Sequence, residues 1–448
     1  MHEGDFMRKI PKTVTADEAV SVVKSGDLIY LSGFANTPET LLNALCRRAD
    51  RHEFENVRIL QLMTFGPAPY MEEKYAGIFV NDLFFVGENN RRAVHAGFAD
   101  YLPVGLSDTQ NLFRSGRLKC DVAMIKVTPP DRHGYVSLGV SVDITLSAVM
   151  TAKKVIAIID SSSPRTLGDA LIPYSKIDYA VIATQPLPEV LYPPSGPLDI
   201  TIGRNCAELI DDGACLQMGI GSIPNAILSQ LSGHKDLGIH TEMFSDNVMP
   251  LVENGIINGE RKQIDTGKLV TSFMMGSRKF YDFINDNPLV LMKDIGYTND
   301  PFIISQNDNV VAINSALEID LTGQIAADSI GTSMYSGIGG QLDFVYGANR
   351  SRNGKGIIAI SSQTNKGKSK IVPTLTPGAG ITTPRHLVHY VITEYGIVDL
   401  YGKSRQERAA LLIEIAHPDH REELEKAAFE RFGKFFLYRK SRKMLKKN

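Results

Sequence analysis

Two short patterns recur along the chain in the same order and at nearly the same distance, and this limits the available folds more than any single motif. Gly33-Phe-Ala-Asn-Thr-Pro38 leads into Leu41 and Leu42, and 186 residues later Gly219-Ile-Gly-Ser-Ile-Pro224 leads into Ile227 and Leu228. Asp131-Arg-His-Gly134-Tyr-Val136 recurs as Asp320-Leu-Thr-Gly323-Gln-Ile325, offset by 189 residues. Each member of the second pair is a turn signal feeding a β pattern. A chain of 448 residues is too long for one compact domain, so duplication accounts for both the length and the echoes. Two tandem, related open α/β domains are expected.

The boundary is also written in the residues. Pro186, Pro188, Pro193, Pro194 and Pro197 crowd a short stretch, and proline removes donors and disfavours helix. That predicts a first domain over 1–185, an extended linker over 186–199 and a second domain over 200–448. Apolar runs at Val122–Val127, Val155–Ile159, Leu289–Met292 and Gly356–Ile360 have the length and flanking turns of buried parallel strands. Thr15-Ala-Asp-Glu18 is a capping box, predicting a helix that Gly26 closes.

Several classes of function are disfavoured. Lys and Arg total 48 against 50 Asp and Glu, so no overall charge draws the chain to nucleic acid or an anionic membrane. The basic stretch Lys434–Asn448 reads as a solvated tail. No apolar run is long enough to cross a membrane, and acids in Met1–Asp5 argue against a secretory leader. Cys46, Cys120, Cys206 and Cys215 form no C-x-x-C pair, so a reducing cytoplasm is expected, with Cys206 and Cys215 as core residues. His386 with His389, and His417 with His420, lack the third ligand of a metal site, and no metal is expected.

Three features can carry chemistry. Met218-Gly-Ile-Gly-Ser-Ile-Pro224 reads as strand, glycine turn and helix, with Pro224 at the first helical position. Backbone N–H groups there suit an anion, although a plain tight connection is as compatible with the pattern. Pro224 breaks the dinucleotide fingerprint, and Ser362 stands where a phosphate-binding loop ending in Gly367-Lys-Ser369 would need glycine. Leu237-Gly-Ile-His-Thr-Glu242 reads as a strand delivering Glu242 to its C-terminal edge, where open α/β sheets bind ligands. Asp246 and Glu253 compete with it for any role. Gly337, Gly339 and Gly340 let backbone approach a ligand and aim N–H groups at an oxyanion.

Longer stretches resemble a known family. Gln217-Met-Gly-Ile-Gly-Ser-Ile-Pro-Asn225, His240-Thr-Glu-Met-Phe-Ser-Asp246, Asn314-Ser-Ala-Leu-Glu-Ile-Asp320 and Ser336-Gly-Ile-Gly-Gly-Gln-Leu-Asp-Phe344 are similar to the acetyl-CoA hydrolase/transferase family. Val391-Ile-Thr-Glu-Tyr-Gly396 and Ile415-Ala-His-Pro-Asp419 agree. The resemblance covers nearly the whole chain and leans toward the branch acting on 4-hydroxybutyrate, with the butyryl-CoA and acetate branch close behind. It implies a CoA-transferase fold, usually as a homodimer, that exchanges CoA between acyl-CoA and short-chain carboxylates. It further implies Glu242 as the glutamate that carries CoA as a thioester. Gly219, Ile220, Gly221, Ser222 and Ile223 match the CoA-binding turn, Gly340 with Gly339 the oxyanion and CoA-contacting glycines, and Asn314 an asparagine near the thioester. Coenzyme A is then substrate rather than resident cofactor. Such a glutamate is expected to be ionised at neutral pH, so no raised pKa is needed for attack. Phe34-Ala-Asn36, as the counterpart of the CoA turn, is expected to line the acyl group. An acyl-CoA hydrolase using the same glutamate, and a non-catalytic CoA-binding protein, are the competing readings.

Overall fold

The structure, a computed structural model, describes residues 10–219, 221–433 and 436. Ile220, the opening stretch Met1–Asp5 and, apart from Phe436, the basic stretch from Lys434 lie outside the described residues. The chain forms two compact units, one from the residues up to Val190 with Val270–Thr298, the other from Leu191–Leu269 with Asn299 onward.

The first unit is built on eight parallel strands in the order Lys12–Thr13, Tyr179–Ile182, Lys154–Ile159, Val122–Val127, Leu28–Leu31, Val57–Gln61, Phe79–Leu83 and Ala99–Tyr101. All six residues of Val122–Val127 are buried. A strand covered on both faces reads as a continuous apolar run rather than an alternating one, and these residues show that pattern. In the second unit, Gly396–Asp399, Tyr390–Thr393, Lys355–Ala359, Val310–Asn314, Cys215–Met218 and Gly238–His240 lie side by side in that order. Only the first of these pairs is antiparallel.

The sequence echoes are structural equivalents. Leu28–Leu31 lies between Val57–Gln61 and Val122–Val127 and feeds the helix Glu39–Asp50. Cys215–Met218 lies between Gly238–His240 and Val310–Asn314 and feeds the helix Ser222–Ser229. The second echo is one turn made twice. Asp131 Oδ1 accepts the N–H groups of His133 and Tyr135 at 2.8 and 2.9 Å, while its carbonyl accepts Gly134 N–H at 3.0 Å. Asp320 Oδ1 accepts those of Thr322 and Gln324 at 2.8 and 3.0 Å, and its carbonyl accepts Gly323 N–H at 2.8 Å.

Three details differ from expectation. The capping box at Thr15 and Glu18 forms, but the helix Ala16–Val20 ends at Ser21, and Gly26 turns the chain into the next strand. The helix after the linker starts at Pro197, inside the expected linker span. Val270–Thr298, expected in the second domain, groups with the first unit. Its strand Val290–Met292 pairs in parallel with Leu167–Gly168, and Phe273 stacks on Phe34 at 3.9 Å. Asp294 receives hydrogen bonds from Arg114 at 2.9 Å and Ser147 at 3.0 Å.

The duplicated turn gives an internal comparison. The Asp320 side chain is 2% exposed and that of Asp131 is 21% exposed, so removing the carboxylate strands buried donors only in the second. Asp320→Ala is expected to cost about 2–3 kcal/mol and Asp131→Ala about 1 kcal/mol. Denaturant unfolding of the two variants measures the difference, and equal losses would contradict it.

Candidate active site

Glu242 lies just past the strand Gly238–His240, at its C-terminal end. That strand is registered to Cys215–Met218 at Cys215–Gly238 and Leu216–Ile239. The carboxylate is largely enclosed. Asn299, fully buried, donates from Nδ2 to Glu242 Oε2 at 2.9 Å, and the Gly340 N–H also donates to the carboxylate. Gly340 precedes the helix Gln341–Arg350. A Cβ at position 340 would collide with both Glu242 Oε2 and Asn299 Nδ2, so only glycine allows this approach.

Burial pushes the Glu242 carboxyl up to about 7. The Asn299 hydrogen bond pulls it down, the Asp343 carboxylate pushes it up, and the Gly340 N–H pulls it down. The expectation was a glutamate ionised at neutral pH; a value of about 7 leaves it only partly ionised there. A charge with little water around it is penalised, and two donors offset only part of that penalty. Of the competing acids, Glu253 is exposed at the end of the helix Met249–Glu253, and Asp246 starts the short helical turn Asp246–Val248.

The glycine turn follows the strand Cys215–Met218. Gly221 takes φ +117°, a conformation that favours glycine, and caps the helix Ser222–Ser229. Pro224 is therefore the third helical residue rather than the first. Its missing N–H still costs nothing, because the first four N–H groups of a helix have no partner within it. Gly219, Gly221, Ser222, Ile223, Pro224 and Asn314 contribute to the lining of a cavity of about 280 Å³. Asn314 donates from Nδ2 to Gln217 Oε1 at 3.0 Å. Gly339, at φ +56°, makes the bend that leads into Gly340.

The fold thus gathers the expected turn and Asn314 around one cavity, and the expected Gly340 against Glu242. Asn299 was not anticipated. Its local signal is that of a helix start, because Asp300 caps the helix Pro301–Ile304 and accepts Phe302 N–H at 2.8 Å. Asn36 is buried and donates to the carbonyls of Lys126 at 2.8 Å and Leu138 at 2.9 Å, bracing its own unit. All four cysteines are free and buried. His417 caps the helix Pro418–Phe432, and among the described residues no group of three or more His, Cys, Asp or Glu is arranged to hold a metal. No described helix is long and apolar enough to cross a membrane.

Comparison with known proteins adds to the geometry. The family profile for the acetyl-CoA hydrolase/transferase N-terminal domain matches residues 3–190, and that for the C-terminal domain matches residues 276–428. A 4-hydroxybutyrate coenzyme A transferase of Clostridium kluyveri is 46% identical over 422 residues, covering 94% of this chain and 98% of that protein. A succinyl-CoA:acetate/propanoyl-CoA:succinate CoA transferase of Fasciola hepatica is 45% identical over 427 residues, covering 94% and 89%. The crystal structure of RipA from Yersinia pestis matches with a TM-score of 0.89 at 36% identity, covering 94% of this chain and 97% of that one. With matching profiles at both ends and relatives this similar over nearly its whole length, the chain belongs to the acetyl-CoA hydrolase/transferase family.

Proposed function

We propose that this protein is a CoA-transferase that moves CoA between acetyl-CoA and a short-chain carboxylate through a glutamyl-CoA thioester on Glu242. The observation that carries the reading is the enclosed carboxylate whose Oε2 is fixed by Asn299 Nδ2, with the Gly340 N–H donating alongside. 4-Hydroxybutyrate is the first acid proposed and butyrate the second, supported by the 46% identical relative and by the resemblance of the motifs. A homodimer acting in the cytoplasm belongs to the same reading, on the strength of that resemblance.

The exchange is a ping-pong sequence. Glu242 Oε1 attacks the donor thioester carbonyl, the C–S bond breaks, and CoA leaves as thiolate from an acyl-glutamyl anhydride. The thiolate then attacks Cδ of Glu242, and negative charge develops on Oε2. Asn299 Nδ2 and the Gly340 N–H are in position to stabilise that charge. Collapse breaks the bond from Cδ to Oε1, which departs with the donor acid, and glutamyl-CoA remains. An acceptor carboxylate reverses both steps and leaves as the new acyl-CoA. One thioester replaces another, so the exchange needs no external energy source. The proposed CoA site is the turn Gly219–Ile223 with its cavity and with the helix N–H groups beside it.

The assay incubates the protein with butyryl-CoA, with and without acetate, and with acetyl-CoA plus 4-hydroxybutyrate, following acyl-CoA species by mass spectrometry. Acyl exchange only in the presence of an acceptor acid, with a CoA adduct on the Glu242 peptide, is the expected result. Free CoA released equally fast without acid would instead identify a hydrolase. Unchanged exchange in Glu242→Gln would overturn the assignment of the nucleophile.

The raised pKa sets the pH dependence. The carboxylate must be deprotonated to attack, so kcat/KM for acyl-CoA should rise with pH through about 7. Asp343→Asn removes a like charge and should move that limb to lower pH. Asn299→Ala removes a donor to the charged form, so the limb should move to higher pH and kcat fall about 100-fold. Limbs that stay in place in both variants would contradict the described environment of Glu242.

The same shift bears on stability. The folded-state pKa of Glu242 lies above its unfolded value, so the folded chain holds this proton more tightly. The contribution of this group to stability is therefore fully present below its unfolded pKa and is lost as pH rises from there to about 7. Glu242→Gln removes that penalty and should be more stable than the parent at pH 8, by on the order of 2–3 kcal/mol. The advantage should vanish at pH 4, where both states of the parent are protonated. Paired thermal melts at the two pH values measure it.

A further inference from the structure

The two glycines of the turn, Gly219 and Gly221, have open space beside them. A Cβ added at Gly219 or Gly221 would meet nothing within 4 Å, and Gly219 is exposed. Backbone pairing on the side facing Glu242 ends at Cys215–Gly238 and Leu216–Ile239, while on the other side Met218 stays paired with Ile313. A glycine with open space beside it samples many conformations unless specific hydrogen bonds restrict the backbone around it.

Two hydroxyls supply such bonds, one at each end of the turn. At the entry, Thr241 is 1% exposed and immediately precedes Glu242. Its Oγ1 lies 3.2 Å from the Met218 carbonyl oxygen and 3.0 Å from that of Met243, either of which can take its proton. The same oxygen accepts the Met218 N–H at 3.4 Å. One hydroxyl thus acts as donor and acceptor where the strand pairing ends. It joins the residue that opens the turn to the backbone on both sides of Glu242. At the exit, Ser195 Oγ donates to the Ser222 carbonyl at 2.8 Å. Ser222 is the first residue of the helix that the turn feeds.

We propose that Thr241 and Ser195 are positioning residues that fix the register of the glycine turn against Glu242, so that ligand held by the turn meets the carboxylate. Neither hydroxyl is given a part in bond making. The proposal rests on the reading of the turn as the acyl-CoA site. It predicts a separation of kinetic effects, because a loosened turn costs binding while leaving the surroundings of the carboxylate intact.

The test compares Thr241→Val, Thr241→Ser, Ser195→Ala and Gly221→Ala in the full chain, measuring KM for acyl-CoA, kcat and the acid limb of the pH profile. Thr241→Val and Ser195→Ala should each raise KM by about 3- to 10-fold, the worth of one neutral hydrogen bond. Thr241→Ser keeps the hydroxyl and should stay within about 2-fold of the parent. The acid limb should stay in place in all three. A KM unchanged in Ser195→Ala, or raised equally in Thr241→Ser and Thr241→Val, overturns the proposal even if Thr241→Val folds poorly. Gly221→Ala separates this failure from that of the underlying reading. If it leaves KM unchanged, the turn is not the acyl-CoA site. If it raises KM while the hydroxyl variants do not, only the positioning role falls.

Discussion

The hydrogen bond from Asn299 to Glu242 is the interaction on which the rest of the site depends. A carboxylate largely withdrawn from water needs donors, and here they include an amide side chain and a backbone N–H from parts of the chain far apart in sequence. The backbone donor can approach only because position 340 has no side chain. Asp343 opposes the donors through its like charge, so the carboxylate stays close to the balance between its protonated and ionised forms. These requirements make 242, 299 and 340 a single constellation, and a change at one alters the other two.

The strands explain why that constellation lies where it does. Cys215–Met218, Val310–Asn314 and Lys355–Ala359 run in parallel, so their C-terminal ends share one edge. That edge carries the glycine turn, Asn314 at the end of its strand and Ser315 just beyond it, and Glu242 lies just past the neighbouring strand Gly238–His240. The first unit repeats the scaffold but not the chemistry. Its counterpart of the turn holds Asn36, buried and committed to two carbonyls, where the second unit holds an open glycine loop. The two units share the strand order and the aspartate turn, both of which serve folding. The residues suited to a ligand differ between the copies.

Much of this was legible in the sequence, for local reasons. Buried parallel strands announce themselves as apolar runs, and Val122–Val127 and Lys355–Ala359 fall on the runs that predicted them. The aspartate turns were legible because their hydrogen bonds close within four residues. Glu242 could be placed at a strand end, but its raised pKa could not be foreseen, since burial is a property of the folded chain. Asn299 was hidden for a similar reason. It meets Glu242 across a separation of 57 residues, while its own neighbours read only as a helix cap. The return of Val270–Thr298 to the first unit depends on pairing with the two-residue strand Leu167–Gly168, too short to leave a pattern.

That return has a consequence for how the protein can be recombined. The prolines mark a seam where a splice between two relatives would look natural. Yet the chain leaves the first unit at Val190, re-enters it at Val270 and leaves again after Thr298. A hybrid joined only at the prolines would take Phe273 and Val290–Met292 from one parent, and their packing partners Phe34 and Leu167–Gly168 from the other. The two halves are therefore not interchangeable cassettes. Substitutions on either side of that packing must be inherited together, which ties the history of residues 270–298 to the first half of the chain, although they are encoded within the second.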